Sequence, residues 1–359
     1  MKKKLFVLIL VAALTTLLAC CSAAPDTEAV RQVTDSAGRT VSLPENIDSI
    51  SCVCPFSGAI IVMLGYGDQL TTGCNNMTRS ALLNELSPGI ADLTVVKNSG
   101  SINAEAILEY GADVIFVNQG TYDDADQRAK LDAIGIPYVV VGYETLEEQL
   151  DAVALIGQTL NAEEEAGRYI DWAHGIMEQV EEVCATIPDS EKPRLYHAVN
   201  EAVRTDYPGS ICAEWIALTG AEDVSLSSDG LSLDGDKAYT TLEQIYMWDP
   251  DLIICNEAGV DDYILSDDKW SGLECVEEGA VYQIPVGTSR MGHPTSTETP
   301  LALLWLAELL YPDYFDIDFS QELYDYYDEF YEYQLNDEMI EAIIEGDEMR
   351  AAKASSGLE

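Results

Sequence analysis

Positive charge is scarce in this 359-residue chain: 18 Lys and Arg stand against 64 Asp and Glu, with three His, a formal net charge of −46. A surface of that sign repels nucleic acid and anionic lipid at long range, so nucleic acid is not an expected partner. No Cys-x-x-Cys pair occurs, and the seven cysteines beyond Cys20 and Cys21 are scattered, which argues against a zinc ribbon or a dense disulfide framework. Several of them, such as Cys52, Cys54 and Cys255, sit in apolar runs where cysteine behaves as a small hydrophobe. Gly-x-Ser-x-Gly, His-Glu-x-x-His and phosphate-loop signatures are all missing. No His and Glu set has metal-site spacing, so binding of a bare metal ion is not expected. After the first twenty residues no apolar run is long enough to span a bilayer.

The N-terminus does carry a signal. Lys2, Lys3 and Lys4 precede the apolar run Leu5–Leu14, which leads to Leu17-Leu18-Ala19-Cys20. This is a charged region, a hydrophobic region too short for a stable span, and a small residue before a cleavage point. The Leu-x-Ala-Cys ending resembles the bacterial lipobox, which implies a signal peptide over 1–20, lipidation of Cys20 and a tether over 21–32. The expected location is extracytoplasmic, with the membrane touched through the lipid anchor alone.

One pattern occurs twice. Residues 102–118 read INAEAILEYGADVIFVN and residues 240–256 read TTLEQIYMWDPDLIICN. At an offset of 138, Glu105/Glu243, Ile107/Ile245, Asp113/Asp251, Ile115/Ile253 and Asn118/Asn256 are identical. A supersecondary unit repeated once at this distance predicts two similar lobes rather than a solenoid. A cleft between such lobes is a natural ligand site.

Strand and helix signals alternate along both halves. Residues 33–42 predict a hairpin, and Ile47–Val53, 113–117 and Tyr138–Val141 predict strands in the first lobe. Leu195–Val199 and Ala280–Ile284 do so in the second. The longest helical pattern is Thr145–Val183, with Thr145 and Glu148 as a capping box and Gly157, Gly167 and Gly175 as possible breaks. The acidic tail carries Leu323, Tyr327, Phe330 and Tyr331 on one helical face, a packing stripe. The expected fold is α/β, with small parallel sheets sandwiched by helices. The expected divisions are a first lobe over 33–144, a linker helix over 145–187, a second lobe over 188–315 and an acidic helical segment over 316–359.

These residues resemble a known family. VTDSAGRTVSLPENIDSI is similar to the opening hairpin and first strand of the helical-backbone periplasmic binding proteins. NAEAILEYGADVIF and TLEQIYMWDPDLII are similar to that family's two "LE-x-(I/L)…PD-(V/L)-I" segments. WSGLECVEEGAVYQIP and TPLALLWLAELLYPDYF are similar to its closing strand and last large helix. The resemblance covers nearly all of the mature chain. It implies two Rossmann-like lobes joined by a single long helix, a monomeric receptor that serves an ABC importer, and no cofactor. It further implies that Glu105 and Glu243 dock onto arginines of the permease dimer, by charge-assisted hydrogen bonds. The other reading of each Glu is a helix-start carboxylate favoured by the macrodipole.

Cleft residues are expected in loops at the C-terminal ends of strands. The candidates are Phe56, Ser57, Asn76, Arg79, Asn118 and Tyr122 in the first lobe. Arg204, Tyr207, Trp215, Asn256, Arg290 and His293 are those of the second. Arg290 could clamp a carboxylate, catecholate or oxyanion. His293 could ligate haem iron or cap the helix that Pro300 begins, whereas His197 reads as structural. The resemblance implies as ligand a small-molecule metal complex, foremost a ferric siderophore-like chelate. Haem, a corrinoid and molybdate or tungstate are the alternatives. An apolar macrocycle would use Phe56, Tyr207 and Trp215 as walls, while an oxyanion would use helix N-termini and Arg290. An extracytoplasmic enzyme or a sensor component remains as a different class, although Ser57, the nearest nucleophile candidate, has no evident base.

Overall fold

The structure, a computed structural model, describes residues 31–346 except 99, 227–229 and 236. The expected signal peptide, Cys20 and most of the tether lie outside the described residues. The first strand, β1 (Arg31–Thr34), begins inside the segment expected as tether and pairs antiparallel with β2 (Thr40–Leu43).

The first lobe is built on β3 (Ile50–Cys52), β4 (Leu70–Cys74), β5 (Thr94–Asn98), β6 (Ser101–Ile102), β7 (Val114–Asn118) and β8 (Tyr138–Val141). Their spatial order is β6-β5-β4-β3-β7-β8, parallel except for β6. Between the strands run α1 (Pro55–Met63), α2 (Asn75–Thr78), α3 (Ala81–Leu86), α4 (Ala104–Tyr110), α5 (Gln119–Asp123) and α6 (Ala125–Ile134). Alternate residues of β7 face opposite layers. Val114 and Phe116 join one core, and Ile115 and Val117 another. This two-sided burial is why the strand reads as a continuous apolar run.

The expected linker over 145–187 is not one continuous helix. It divides into α7 (Leu146–Leu160) and α8 (Glu163–Cys184), which pack against each other. The break falls at Asn161, left-handed at φ 60°, rather than at any of the three glycines. Asparagine tolerates that conformation, and Glu163, Glu164 and Glu165 then favour a new helix N-terminus. Gly157 serves the crossing instead, since a Cβ there would lie 2.6 Å from that of Ala166. Thr145 caps α7 as expected, while Glu148 reaches back to the Glu144 amide at 2.7 Å. Helix α7 packs on α1 and β1 of the first lobe. The 22-residue α8, about 33 Å long, is the helix that joins the lobes.

The second lobe contains β9 (Arg194–Ala198), β10 (Arg204–Thr205), α9 (Ile211–Leu218), β11 (Glu222–Asp223), β12 (Ser232–Asp234), β13 (Lys237–Tyr239), α10 (Leu242–Trp248), β14 (Leu252–Cys255), α11 (Val260–Ser266), α12 (Glu274–Glu277) and β15 (Val281–Gln283). Its main sheet, β11-β9-β14-β15, is parallel throughout. A small antiparallel sheet, β10-β13-β12, stands beside it. In β14 the alternation of β7 recurs: Leu252 and Ile254 enter the core shared with the first lobe, Ile253 and Cys255 an outer one. Helices α13 (Thr299–Leu310), α14 (Phe319–Tyr331) and α15 (Asp337–Glu345) follow β15. Leu323, Tyr327 and Phe330 are buried, with Phe330 stacked on Trp172 of α8 at 5.2 Å, so the aromatic stripe is packing. Cys52, Cys54, Cys74, Cys184, Cys212, Cys255 and Cys275 are all free and buried.

The fold explains most of the repeat. Asp113 Oδ2 accepts from the Asp48 and Ser49 amides, each at 2.9 Å, and Asp251 Oδ2 accepts from the Arg194 amide at 2.6 Å. Each Asp thus fixes the start of its strand's neighbour. The four repeated isoleucines are fully buried. Asn118 caps α5, and Asn256 Oδ1 accepts from the Asn200 amide at 2.8 Å.

Candidate functional site

A cavity of about 100 Å³ lies where the strand-end loops of the first lobe meet loop 288–295 of the second. The first lobe contributes Pro55 at the start of α1, Asn76 in α2, and Arg79 and Ser80 beyond it. Pro55 has no amide hydrogen, and its fixed φ starts α1 directly from β3. The Phe56 and Ser57 amides are then the helix's first donors without an intrahelical acceptor, at the positive end of the helix dipole. From the second lobe come Arg290 and His293, with the hydroxyls of Thr288, Ser289 and Thr295. No carboxylate lines the cavity among the described residues.

The electrostatics follow from these neighbours. Arg290 is 8 % exposed, and its Nη1 donates to Glu257 Oε2 at 2.7 Å. Glu257 holds the guanidinium without lining the cavity. His293 closes a turn: its Nδ1 accepts from the Thr295 amide at 3.2 Å and lies 2.9 Å from Thr295 Oγ1. With Nδ1 accepting, Nε2 is the ring's donor. It does not cap α13, whose N-cap residue is Glu298.

The loop bearing Arg290 and His293 is over-determined by buried bonds. Glu298, fully buried, accepts from the Thr288 amide and hydroxyl at 2.7 Å each and from Tyr327 at 2.8 Å. Its other oxygen takes the Ser296 hydroxyl at 2.8 Å. Burial and Glu298 together push the Tyr327 phenol well above its usual range, which keeps it a donor. Gly292 is left-handed at φ 73°, and a Cβ there would meet the Trp215 ring at 2.6 Å. Contacts across the lobes clasp the rim. Ser80 Oγ donates to the Thr288 carbonyl at 2.8 Å, and Tyr143 and Gln149 donate to that of Pro294 at 2.7 and 3.0 Å.

Of the twelve sequence candidates, Asn76, Arg79, Arg290 and His293 line this cavity. Phe56 and Ser57 are buried in α1, with Phe56 4.8 Å from the Tyr143 ring, and neither residue lines it. Trp215 stands behind the loop, donating to the Gly292 carbonyl at 3.0 Å. Asn118 is taken up by Lys97 at 2.9 Å, and Tyr122 lies under the guanidinium groups of Arg39 and Arg128. Arg204, Tyr207 and Asn256 lie outside the cavity lining. Sequence reasoning missed Ser80 and Glu298. The Ser before an apolar helix was legible as a cap, but nothing local pointed Ser80 to a loop 208 residues away. A wider depression of about 590 Å³ on the first lobe is edged by Asp123, Glu144, Glu148 and Asp151, the wrong sign for an anion.

Comparison with known proteins places this architecture. The periplasmic binding protein family matches residues 50–286. The chain belongs to that family. Among curated relatives, the molybdate-binding protein MolA of Haemophilus influenzae is 24% identical over 324 residues, covering 84% of this chain and 91% of MolA. Its structure with molybdate superposes with a TM-score of 0.75 at 21% identity, over 85% of this chain and 99% of that one. A periplasmic solute binding protein from Veillonella parvula gives 0.75 at 25% identity, over 88% and 97%. The nickel-bound CeuE of Helicobacter pylori gives 0.71 at 15% identity, over 88% and 99%. This periplasmic binding protein is of the helical-backbone type, a two-lobed solute-binding component of an ABC importer that works outside the cytoplasm. No helix among the described residues is long and apolar enough to cross a membrane.

Proposed function

We propose that this protein captures a small oxyanion of the molybdate or tungstate class in the cavity between Arg79 and Arg290. The observation that carries this reading is the cavity itself: about 100 Å³, free of carboxylates, and edged by two arginines in a chain of net charge −46. A tetrahedral oxyanion needs converging donors and little volume. Guanidinium forks and hydroxyls supply the donors. A ferric chelate or macrocycle, foremost among the sequence expectations, needs a pocket of roughly 300 Å³ or more, which the clasped lobes leave no room for. The likeness to a molybdate-binding protein over most of both chains supports the same choice.

Delivery then passes through Glu105 and Glu243. Both are exposed in the first turn of equivalent helices, α4 and α10, and neither makes a hydrogen bond or ion pair among the described residues. The other four repeated identities have structural duties, so the Glu pair is the part of the repeat left for a partner. Docking onto permease arginines fits that remainder. Cys20 serves as the lipid anchor that keeps the receptor near its permease. Calorimetric titration of residues 22–359 with molybdate, tungstate, sulfate, a ferric catecholate and haem tests the reading. Saturable binding of molybdate or tungstate, with no response to the chelate or haem, is the expected result. Saturation by the ferric chelate without an oxyanion response would overturn it.

A further inference from the structure

We infer that His197, Asp206 and Cys212 form a second site, for a resident divalent metal ion of the zinc class, buried in the second lobe behind the oxyanion loop. A ring nitrogen, a carboxylate oxygen and a thiol sulfur from these residues all lie within 4.8 Å of one another. His197 Nδ1 is 2.8 Å from Asp206 Oδ2. Around a tetrahedral zinc ion, with bonds of about 2.0–2.3 Å, donor atoms sit roughly 3.3–3.7 Å apart, so small side-chain shifts would admit the ion. A nitrogen, an oxygen and a sulfur donor together suit zinc or cobalt rather than magnesium or calcium.

One further observation points to a cation. Asp223, buried and in electrostatic reach of Asp206 and His197, has no hydrogen-bond partner for its Oδ2 among the described residues, although Ser225 satisfies Oδ1. Buried polar atoms seldom go unpaired, and each one costs stability. The Asp206 carboxylate and the Cys212 thiol therefore share one imidazole in a region closed to solvent, with the Asp223 carboxyl in electrostatic reach. Arg290 is the nearby cation that acts on Cys212, but Glu257 already holds it at 2.7 Å. A divalent ion held by His197, Asp206 and Cys212 would balance this excess.

The sequence offered no such set because 9 residues separate His197 from Asp206 and the chain turns between them. Burial makes the ion a permanent constituent acquired on folding, distinct from the solute. Binding forms a metal–sulfur bond, and the thiol proton leaves to solvent. Cys212 Sγ now donates to the Gly292 carbonyl at 3.4 Å, beside Trp215, so the ion would sit directly against the loop of Arg290 and His293.

The test uses untagged residues 22–359, unfolded with chelator and refolded with one equivalent of cobalt(II), with no oxyanion present, so it succeeds or fails independently of the oxyanion reading. Expected are one retained cobalt per chain after dialysis and a thiolate-to-cobalt charge-transfer band. Cys212→Ser and His197→Gln should each lose the band and weaken retention by about 100-fold or more, while Cys184→Ser keeps both. Natively folded wild type that retains no cobalt, or a band that survives Cys212→Ser, overturns the inference. The wild-type measurement decides the matter even if a variant does not fold.

Discussion

Replacing Arg290 by Ala has two separable consequences. The guanidinium is buried and its Nη1 lies 2.7 Å from Glu257 Oε2, while the same side chain lines the cavity between the lobes. Loss of charge-assisted hydrogen bonds to a bound anion is worth about 1.5–3 kcal/mol, a fall in affinity of about 10–150-fold. Removing one partner of a buried ion pair costs a further 3–5 kcal/mol of stability or so, because Glu257 keeps a buried charge without its cation. The Arg290→Ala/Glu257→Gln double variant separates the two. It should recover most of the stability in urea unfolding, yet remain as weak as the single variant in calorimetric titration with molybdate. Arg290→Lys should fall between, since an ammonium keeps the charge but not the planar fork. A double variant that binds molybdate like the wild type would refute the role given to Arg290.

Other outcomes follow from the same geometry. Glu105→Arg combined with Glu243→Arg should abolish uptake in cells while calorimetric affinity stays within about twofold, since both residues are exposed and far from burial costs; normal uptake would remove the docking role. Glu298→Ala leaves the Thr288 amide and the Tyr327 hydroxyl without their buried acceptor, and should lower unfolding free energy by about 2–5 kcal/mol and weaken oxyanion binding with it. Gly157→Val should destabilise by about 2 kcal/mol or more through the clash with Ala166, without altering affinity once folded. Arg79→Ala should weaken oxyanion binding with little effect on melting temperature.

The layers of the fold were legible in the chain. In β7 and β14 continuous apolar runs marked strands buried on both faces, and the repeated Glu, Asp and Asn marked equivalent ends of equivalent units. Four cavity residues were visible as polar side chains at strand ends, where parallel sheets leave backbone donors and open loops. The β10-β13-β12 sheet was not visible, because its strands of two or three residues carry too little periodicity. Neither was the turn at Asn161, since the glycines nearby are stronger break signals when read without their neighbours.

Composition and local pattern by themselves determined a two-lobed α/β chain of strongly acidic character, since hydrophobic period and turn chemistry are properties of short stretches. Only the tertiary structure decided which loops converge, how small the cavity between them is, and that His197, Asp206 and Cys212 share one buried space. Those outcomes rest on contacts between distant parts of the chain, such as Ser80 with the Thr288 carbonyl at 2.8 Å. Such contacts arise from lobe packing around α8, and no short stretch of sequence encodes them.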